Sequence, residues 1–92
     1  MAAEKVQTRH PTPGKTNFPV DERSHELFEA AIVRALRDRQ PTHAELVDLV
    51  ASQVEGTFEG NVSWHTMTVK LDLEARGVIE RTSSRPQRYR LA

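Results

Sequence analysis

The stretch Leu71-Asp-Leu-Glu-Ala-Arg-Gly-Val-Ile-Glu-Arg81 changes its hydrophobic period halfway along, and this change decides the fold. Over the longer segment from residue 62 to Gly77 the apolar residues recur at helical spacing, and a glycine can adopt the left-handed conformation in which many helices end. After it, Val78 and Ile79 open a short segment that alternates in part, as a strand does. The stretch therefore predicts a helix that passes through a glycine directly into a strand.

The predicted strand is followed by a second segment with which it can pair. Residues 78–82 and 87–91 both alternate in part, and the Ser-Ser-Arg-Pro sequence at 83–86 between them is typical of a turn. We therefore predict a hairpin over 78–91. Four arginines lie along it, at Arg81, Arg85, Arg88 and Arg90.

Upstream of the quoted stretch, the apolar spacing predicts three helices. The first covers 22–39 and stops because Pro41 forces the preceding residue out of helical geometry. The second covers 43–55, and Thr42 begins a capping box at its start. The third covers 62–76 and includes the first half of the quoted stretch.

The N-terminal segment, residues 1–20, is predicted to be a flexible tail. It contains three prolines and a glycine but only two large apolar residues, Val6 and Phe18. One folded domain over 21–92 remains. Its class is mainly α with a small β-hairpin, which is an α+β fold.

The composition argues against several classes of function. Without cysteine the chain can form neither a disulfide framework nor a thiolate metal site. The four histidines lack the spacing of zinc ligands, and we expect His25 and His43 in first helical turns at the surface. The sequence has no nucleophile elbow and no phosphate-binding glycine loop. We therefore expect neither a metal, nor a cofactor, nor an enzyme.

No stretch of the chain predicts a membrane partner. The apolar runs extend over a few residues, whereas a spanning helix needs roughly 20. The first six residues, Met-Ala-Ala-Glu-Lys-Val, lack the apolar core of a secretory signal, and neither end carries a lipidation motif. We expect a cytoplasmic protein.

The charges are unevenly distributed, although 13 basic residues balance 13 acidic ones. Residues 1–20 hold three basic and one acidic residue, 21–61 hold four and nine, and 62–92 hold six and three. The three segments therefore carry +2, −5 and +3. The molecule is therefore polarised, with its positive part at the C-terminal end.

Three helices followed by a hairpin resemble the winged helix-turn-helix domain of small bacterial DNA-binding proteins of the MarR and PadR kind. The shared passage falls on 73–81. It consists of Leu-Glu, two variable residues, Gly, two hydrophobic residues, one variable residue and Arg. The resemblance covers about 22–92. It implies that Leu73 packs inward and that Val78 and Ile79 place the first strand of the wing against the core.

In that family the third helix lies in the DNA major groove and the wing contacts adjacent phosphates. The resemblance therefore implies a transcriptional regulator whose partner is double-stranded DNA. The implied base-contact residues are Ser63, His65, Thr66, Thr68 and Lys70. The implied phosphate contacts are Arg81, Arg85, Arg88 and Arg90.

The third helix also has two apolar faces. Val62, Thr66, Val69 and Leu73 fall on one side, and Trp64, Met67, Leu71 and Ala75 fall nearly opposite. Only one face can cover the core if the other is to meet DNA. The second face is more typical of contact with a second copy, another protein or an extra element of the same chain.

A protein-interaction module that binds no DNA is therefore the alternative function. Its interface candidates are Trp64, Met67 and Leu71. The two hypotheses differ in the exposure of Trp64 and Met67, because burial of these side chains favours DNA and exposure favours a protein partner.

Overall fold

The computed structural model describes residues 4–92 and contains three helices and two antiparallel strand pairs, which confirms the α+β class. The helices are α1 (Glu22–Ala35), α2 (His43–Val54) and α3 (Val62–Ala75). The strands are β1 (Lys5–Gln7), β2 (Pro19–Asp21), β3 (Ile79–Arg81) and β4 (Tyr89–Leu91). Over these described residues, no helix is long and apolar enough to cross a bilayer.

Each helix starts at a side chain that caps its first turn. Asp21 and Asn61 each accept a hydrogen bond from the amide three residues later, at 3.2 and 2.8 Å. For α2, the Thr42 hydroxyl accepts from the Glu45 amide and the Glu45 carboxylate accepts from the Thr42 amide, at 3.3 and 2.9 Å. The predicted capping box is therefore confirmed.

The core lies where the three helices meet. Phe28 and Ile32 of α1 pack there with side chains of the other two helices, namely Leu46, Val50, Val54, Val69 and Leu73. Full burial of one such side chain contributes roughly 1.5–3 kcal/mol. Helix α1 ends at Ala35 rather than at 39, because residues 37–40 are polar and exposed and contribute nothing to this core.

The β3–β4 pair continues the core beyond α3. Gly77 has a φ of 75°, and the Val78 amide donates to the Leu73 carbonyl at 2.9 Å, so the chain turns sharply out of α3. Ile79 of β3 and Tyr89 of β4 are buried against the helices. The two strands pair in antiparallel register over Ile79–Arg81 and Tyr89–Leu91.

The N-terminal segment is part of the fold, so the flexible-tail prediction is wrong for residues 4–20; residues 1–3 lie outside the described residues. β1 pairs with β2, and Val6 lies opposite Val20. Thr8 and Asn17 are buried in the connection between the two strands, residues 8–18, which we call the hairpin loop. Backbone pairing and buried polar side chains stabilise this segment, and a count of large apolar residues detects neither.

Candidate functional site

Helix α3 is the centre of the candidate site, and three of its sides are covered by the chain itself. Its core side packs on α1 and α2. The hairpin loop covers one flank, where Asn17 Nδ2 donates to the Thr68 carbonyl at 2.9 Å. On the other flank, Lys70 Nζ lies 3.0 Å from His43 Nδ1 and 4.1 Å from the centre of the Tyr89 ring. Within the described residues, one narrow side of α3 therefore faces solvent.

Three of the five predicted base-contact residues are buried by this arrangement. Thr66 and Thr68 are fully buried, and Lys70 is 4% exposed. Neither threonine hydroxyl has a hydrogen-bond partner within residues 4–92. The prediction that these residues face DNA is wrong, because Thr66 lies on the core side of α3 and other parts of the chain cover the flanks that carry Thr68 and Lys70.

Lys70 is held by an imidazole and an aromatic ring. Burial, together with the charges of Lys70 and Arg81, lowers the pKa of His43 below 6.5. The neutral imidazole can then accept a hydrogen bond from the Lys70 ammonium, which also lies over the face of Tyr89. His43 is half-buried by this contact rather than fully at the surface.

His65 belongs to an aromatic cluster. Its ring centre lies 5.3 Å from that of Phe28, 4.7 Å from that of Phe58 and 4.9 Å from that of Trp64. Its Nδ1 lies 2.8 Å from the Asn61 carbonyl oxygen. The ring therefore packs within the molecule, and Ser63 is the one predicted base-contact residue that is exposed.

Three of the four predicted phosphate contacts pair with carboxylates of this chain. The pairs are Arg81 with Glu74, Arg88 with Glu45 and Arg90 with Glu80, at 2.8, 3.4 and 2.7 Å. Arg81 donates through Nε and Nη2 to the two carboxylate oxygens of Glu74, whose side chain is 5% exposed. This hydrogen bonding raises the pKa of Arg81. Arg85, in the turn, forms no ion pair with any described residue.

The open side of α3 is apolar. Trp64, Met67 and Leu71 lie above one another on this side and extend over about 10 Å, given a rise of about 1.5 Å per residue. Met67 is 38% exposed. Phe18 of the hairpin loop is 57% exposed, and its ring centre lies 5.8 Å from that of Trp64. We call these four residues, Phe18, Trp64, Met67 and Leu71, the apolar stripe.

Helical spacing in the sequence predicts three members of the apolar stripe, whereas Phe18 was not predicted. The available signal was that Phe18 is one of two large apolar residues in a segment otherwise assigned to a tail. The hairpin loop is an extra element of the same chain that contacts the second face of α3, through Phe18 and Trp64. Such an element was one of the three predicted alternatives for this face.

Asp72 fixes the hairpin loop beside α3. Asp72 is 2% exposed. Its carboxylate accepts hydrogen bonds from the Arg9 backbone amide at 2.9 Å and from Arg76 Nε at 3.0 Å. His25 Nε2 lies 2.8 Å from the same carboxylate, so His25 is buried and the prediction of a surface position is wrong. Arg76 also pairs with Glu29. Buried, charge-assisted contacts therefore determine where the loop lies.

The hairpin loop carries basic side chains that line two clefts, and in one of these Arg9 lies with the acidic residues Glu22, Glu26, Glu29 and Asp72. The other cleft is more basic. Arg9, His10 and Lys15 line a cleft of about 590 Å³, together with Gln7, Thr8, Thr16 and Asn17. No carboxylate lines this cleft. The side chains of Arg9 and Lys15 form no ion pair with any residue from 4 to 92.

Comparison with known proteins identifies a family for this chain. A family model described as "Family of unknown function (DUF6958)" matches residues 5–89, which include the β1–β2 pair as well as the three helices. No curated protein and no solved structure matches the chain.

Proposed function

The chain belongs to the DUF6958 family, whose description names no activity, and from its geometry we propose that it is a protein-interaction module that docks a partner on the apolar stripe. One observation carries this proposal. The open side of α3 exposes Met67 beside a 57% exposed Phe18, whereas the polar residues nominated for base contact are mostly buried.

We further propose that the module is a winged helix-turn-helix of the kind seen in MarR and PadR proteins. The order of three helices and a hairpin supports this arrangement, as does the left-handed exit of α3 at Gly77. In this arrangement β3 and β4 form the wing, and α3 occupies the position that other members of the fold present to DNA.

The chemistry of the apolar stripe favours a protein over a DNA groove. Base edges are read by hydrogen-bond donors and acceptors, and the indole N–H of Trp64 is the one such group among the four stripe side chains. Trp and Met are enriched in the buried centres of protein interfaces. A partner that covers Phe18, Trp64 and Met67 removes apolar surface from water, which is favourable at roughly 25 cal/mol per Å².

The proposal is tested by selecting binders from a displayed random-peptide library on the immobilised full chain. We expect enriched peptides to bind the wild type and to lose binding to Met67→Asp, because the new carboxylate lies at the centre of the stripe. Ala30→Asp adds the same charge on the exposed side of α1 and is the matched control. Circular dichroism checks that both variants fold.

Sedimentation velocity completes this experiment, because a second copy is one possible occupant. Self-association of the wild type that Met67→Asp abolishes also supports docking through the stripe. Peptides that bind the wild type and Met67→Asp equally overturn the proposal. A chain that stays monomeric and enriches no peptide overturns it as well.

Double-stranded DNA is a second candidate partner, favoured by a separate observation. Arg9 and Lys15 on one flank of α3 and Arg85 in the β3–β4 turn are cations without an ion pair in the described chain. Phosphate contacts by such residues produce binding that weakens steeply with salt. Duplex binding by fluorescence anisotropy that falls with salt and with Arg85→Ala, but not with Met67→Asp, supports this function instead.

A further inference from the structure

We infer that the hairpin loop binds a small phosphate monoester in the cleft of about 590 Å³ that residues 7–10 and 15–17 line. We call this cleft the basic cleft. It contains no residue of the apolar stripe, so the inference goes beyond the proposed function and does not depend on it. It follows from the charges and hydrogen-bond donors that the loop leaves open in the cleft.

The wall of the basic cleft is held by hydrogen bonds within the loop. Asn17 Nδ2 donates to the Arg9 carbonyl at 3.1 Å, and Gln7 Nε2 donates to the Asn17 carbonyl at 2.8 Å. The buried Thr8 hydroxyl donates to the Phe18 carbonyl. Because these contacts are present without a ligand, the cleft is already formed, which lowers the entropic cost of binding.

The side chains of the basic cleft offer four donor groups. The Arg9 guanidinium and the Lys15 ammonium form no ion pair with any residue from 4 to 92. His10 Nδ1 accepts from the Thr12 amide at 3.0 Å, so the proton of the neutral ring is on Nε2, which is a third donor. The Thr16 hydroxyl is the fourth. Since no carboxylate lines the cleft, its side chains carry a formal charge of +2 with a neutral imidazole.

A tight turn connects the two sides of the basic cleft. The Lys15 amide donates to the Thr12 carbonyl at 3.2 Å, and Gly14 has a φ of 83°, as in a type II turn with Pro13 at its second position. Thr12 also binds the His10 ring through its amide. Local contacts therefore fix the backbone of Lys15 relative to His10.

Arg9 lies between the basic cleft and a second cleft that is acidic. The acidic cleft is lined by four carboxylates, those of Glu22, Glu26, Glu29 and Asp72. Two of them, Glu29 and Asp72, already pair with Arg76, and none forms an ion pair with Arg9. Lys15 lines the basic cleft and not the acidic one. The guanidinium of Arg9 is therefore open to an anion that Lys15 also binds.

The charge and the donors fit a phosphate monoester better than a carboxylate. A phosphate monoester carries about −1.5 to −2 at pH 7 and presents three acceptor oxygens, whereas a carboxylate carries a single charge and two oxygens. A guanidinium can bind two phosphate oxygens at once, and an ammonium binds as a point charge. The volume of the cleft falls within the range of about 300–1,000 Å³ of small-molecule sites, so the organic group of the ester also has room.

The inference is tested by titration of the isotope-labelled full chain, with the amide shifts of residues 8–18 as the readout. The probes are inorganic phosphate and adenosine monophosphate, and sodium chloride keeps the ionic strength constant. We expect both probes to produce saturable shifts in the hairpin loop. Adenosine lacks the phosphate and is the matched ligand control, which we expect to produce no shifts.

Two double variants separate the cations of the basic cleft from overall net charge. Arg9→Ala with Lys15→Ala is expected to weaken phosphate binding roughly 10-fold, because two exposed ion pairs to the anion are lost and each contributes modestly. The loop is anchored through the backbone of Arg9, which these substitutions leave in place. Arg37→Ala with Arg39→Ala removes the same charge from an exposed segment after α1 and is expected to leave binding unchanged.

Saturable shifts that Arg9→Ala with Lys15→Ala weakens, and that the control variant retains, support the inference. The absence of saturable shifts, equal shifts with adenosine, or equal binding by both double variants overturns it. A DNA duplex that shifts the loop amides when adenosine monophosphate does not assigns these cations to a nucleic-acid backbone and overturns it as well. Docking on the apolar stripe is tested separately by Met67→Asp, so the two proposals can fail independently.

Discussion

Replacement of Asp72 by alanine removes the buried carboxylate that joins the hairpin loop to the helices. The Arg9 amide and the His25 imidazole then lose their hydrogen-bond partner. This loss occurs in the interior, since Asp72 is 2% exposed. Removal of one partner from a buried ion pair costs about 3–5 kcal/mol. Arg76 is 35% exposed and keeps Glu29, so we expect the lower end, a loss of about 3 kcal/mol in the free energy of unfolding.

Urea denaturation followed by circular dichroism measures this loss. For a domain of this length, 3 kcal/mol corresponds to a decrease in Tm of about 15 °C. Hydrogen exchange of the Arg9 amide reports whether the hairpin loop detaches, and we expect its protection to be lost in Asp72→Ala.

The control for this prediction is Glu80→Ala, which breaks the Arg90–Glu80 pair. Both side chains of that pair are about half exposed, so its loss is expected to cost below about 1 kcal/mol. If Asp72→Ala costs no more than Glu80→Ala, and the Arg9 amide stays protected, the reasoning that Asp72 holds the loop is refuted.

Three further variants test the core and the helix starts by the same denaturation assay. Thr66→Val is expected to raise the free energy of unfolding by about 1 kcal/mol, because it removes a buried hydroxyl that has no hydrogen-bond partner. A decrease of the same size in the free energy of unfolding contradicts this account. The lowered pKa of His43 means that the unfolded chain takes up this proton first as the pH falls. Stability should therefore decrease below about pH 6.5, and His43→Gln should reduce that decrease; an unchanged pH profile contradicts the assignment. Thr42→Ala should cost about 1 kcal/mol through loss of the α2 cap, whereas Thr57→Ala, at an exposed position after α2, should cost little.

The helix starts and the exit from α3 were predictable because their causes are local. Asp21, Thr42 and Asn61 each bond to an amide three residues away, and such spacing is visible in the sequence. The same holds for Gly77, whose left-handed conformation depends on its missing side chain.

The hairpin loop and the burial of Lys70 were not predictable in this way. β1 and β2 are three residues long each, and the contacts that hold them come from distant parts of the chain. The Arg9–Asp72 hydrogen bond joins residues 63 positions apart. Lys70 likewise meets His43 of α2 and Tyr89 of β4, and no local pattern indicates that these two rings cover an ammonium group.

The candidate site shows the same division. Helical spacing alone brought Trp64, Met67 and Leu71 together as interface candidates. The position of Phe18 beside them was not visible in any local pattern, because it depends on the contacts of the hairpin loop with α3.

The 63-residue separation between Arg9 and Asp72 also governs how the protein forms during translation. At 5–20 residues per second, the ribosome adds Asp72 roughly 3–13 s after Arg9. An isolated two-stranded hairpin is marginally stable in water, so β1 and β2 have no lasting order during that interval. The first segment to be synthesised is therefore among the last to become fixed.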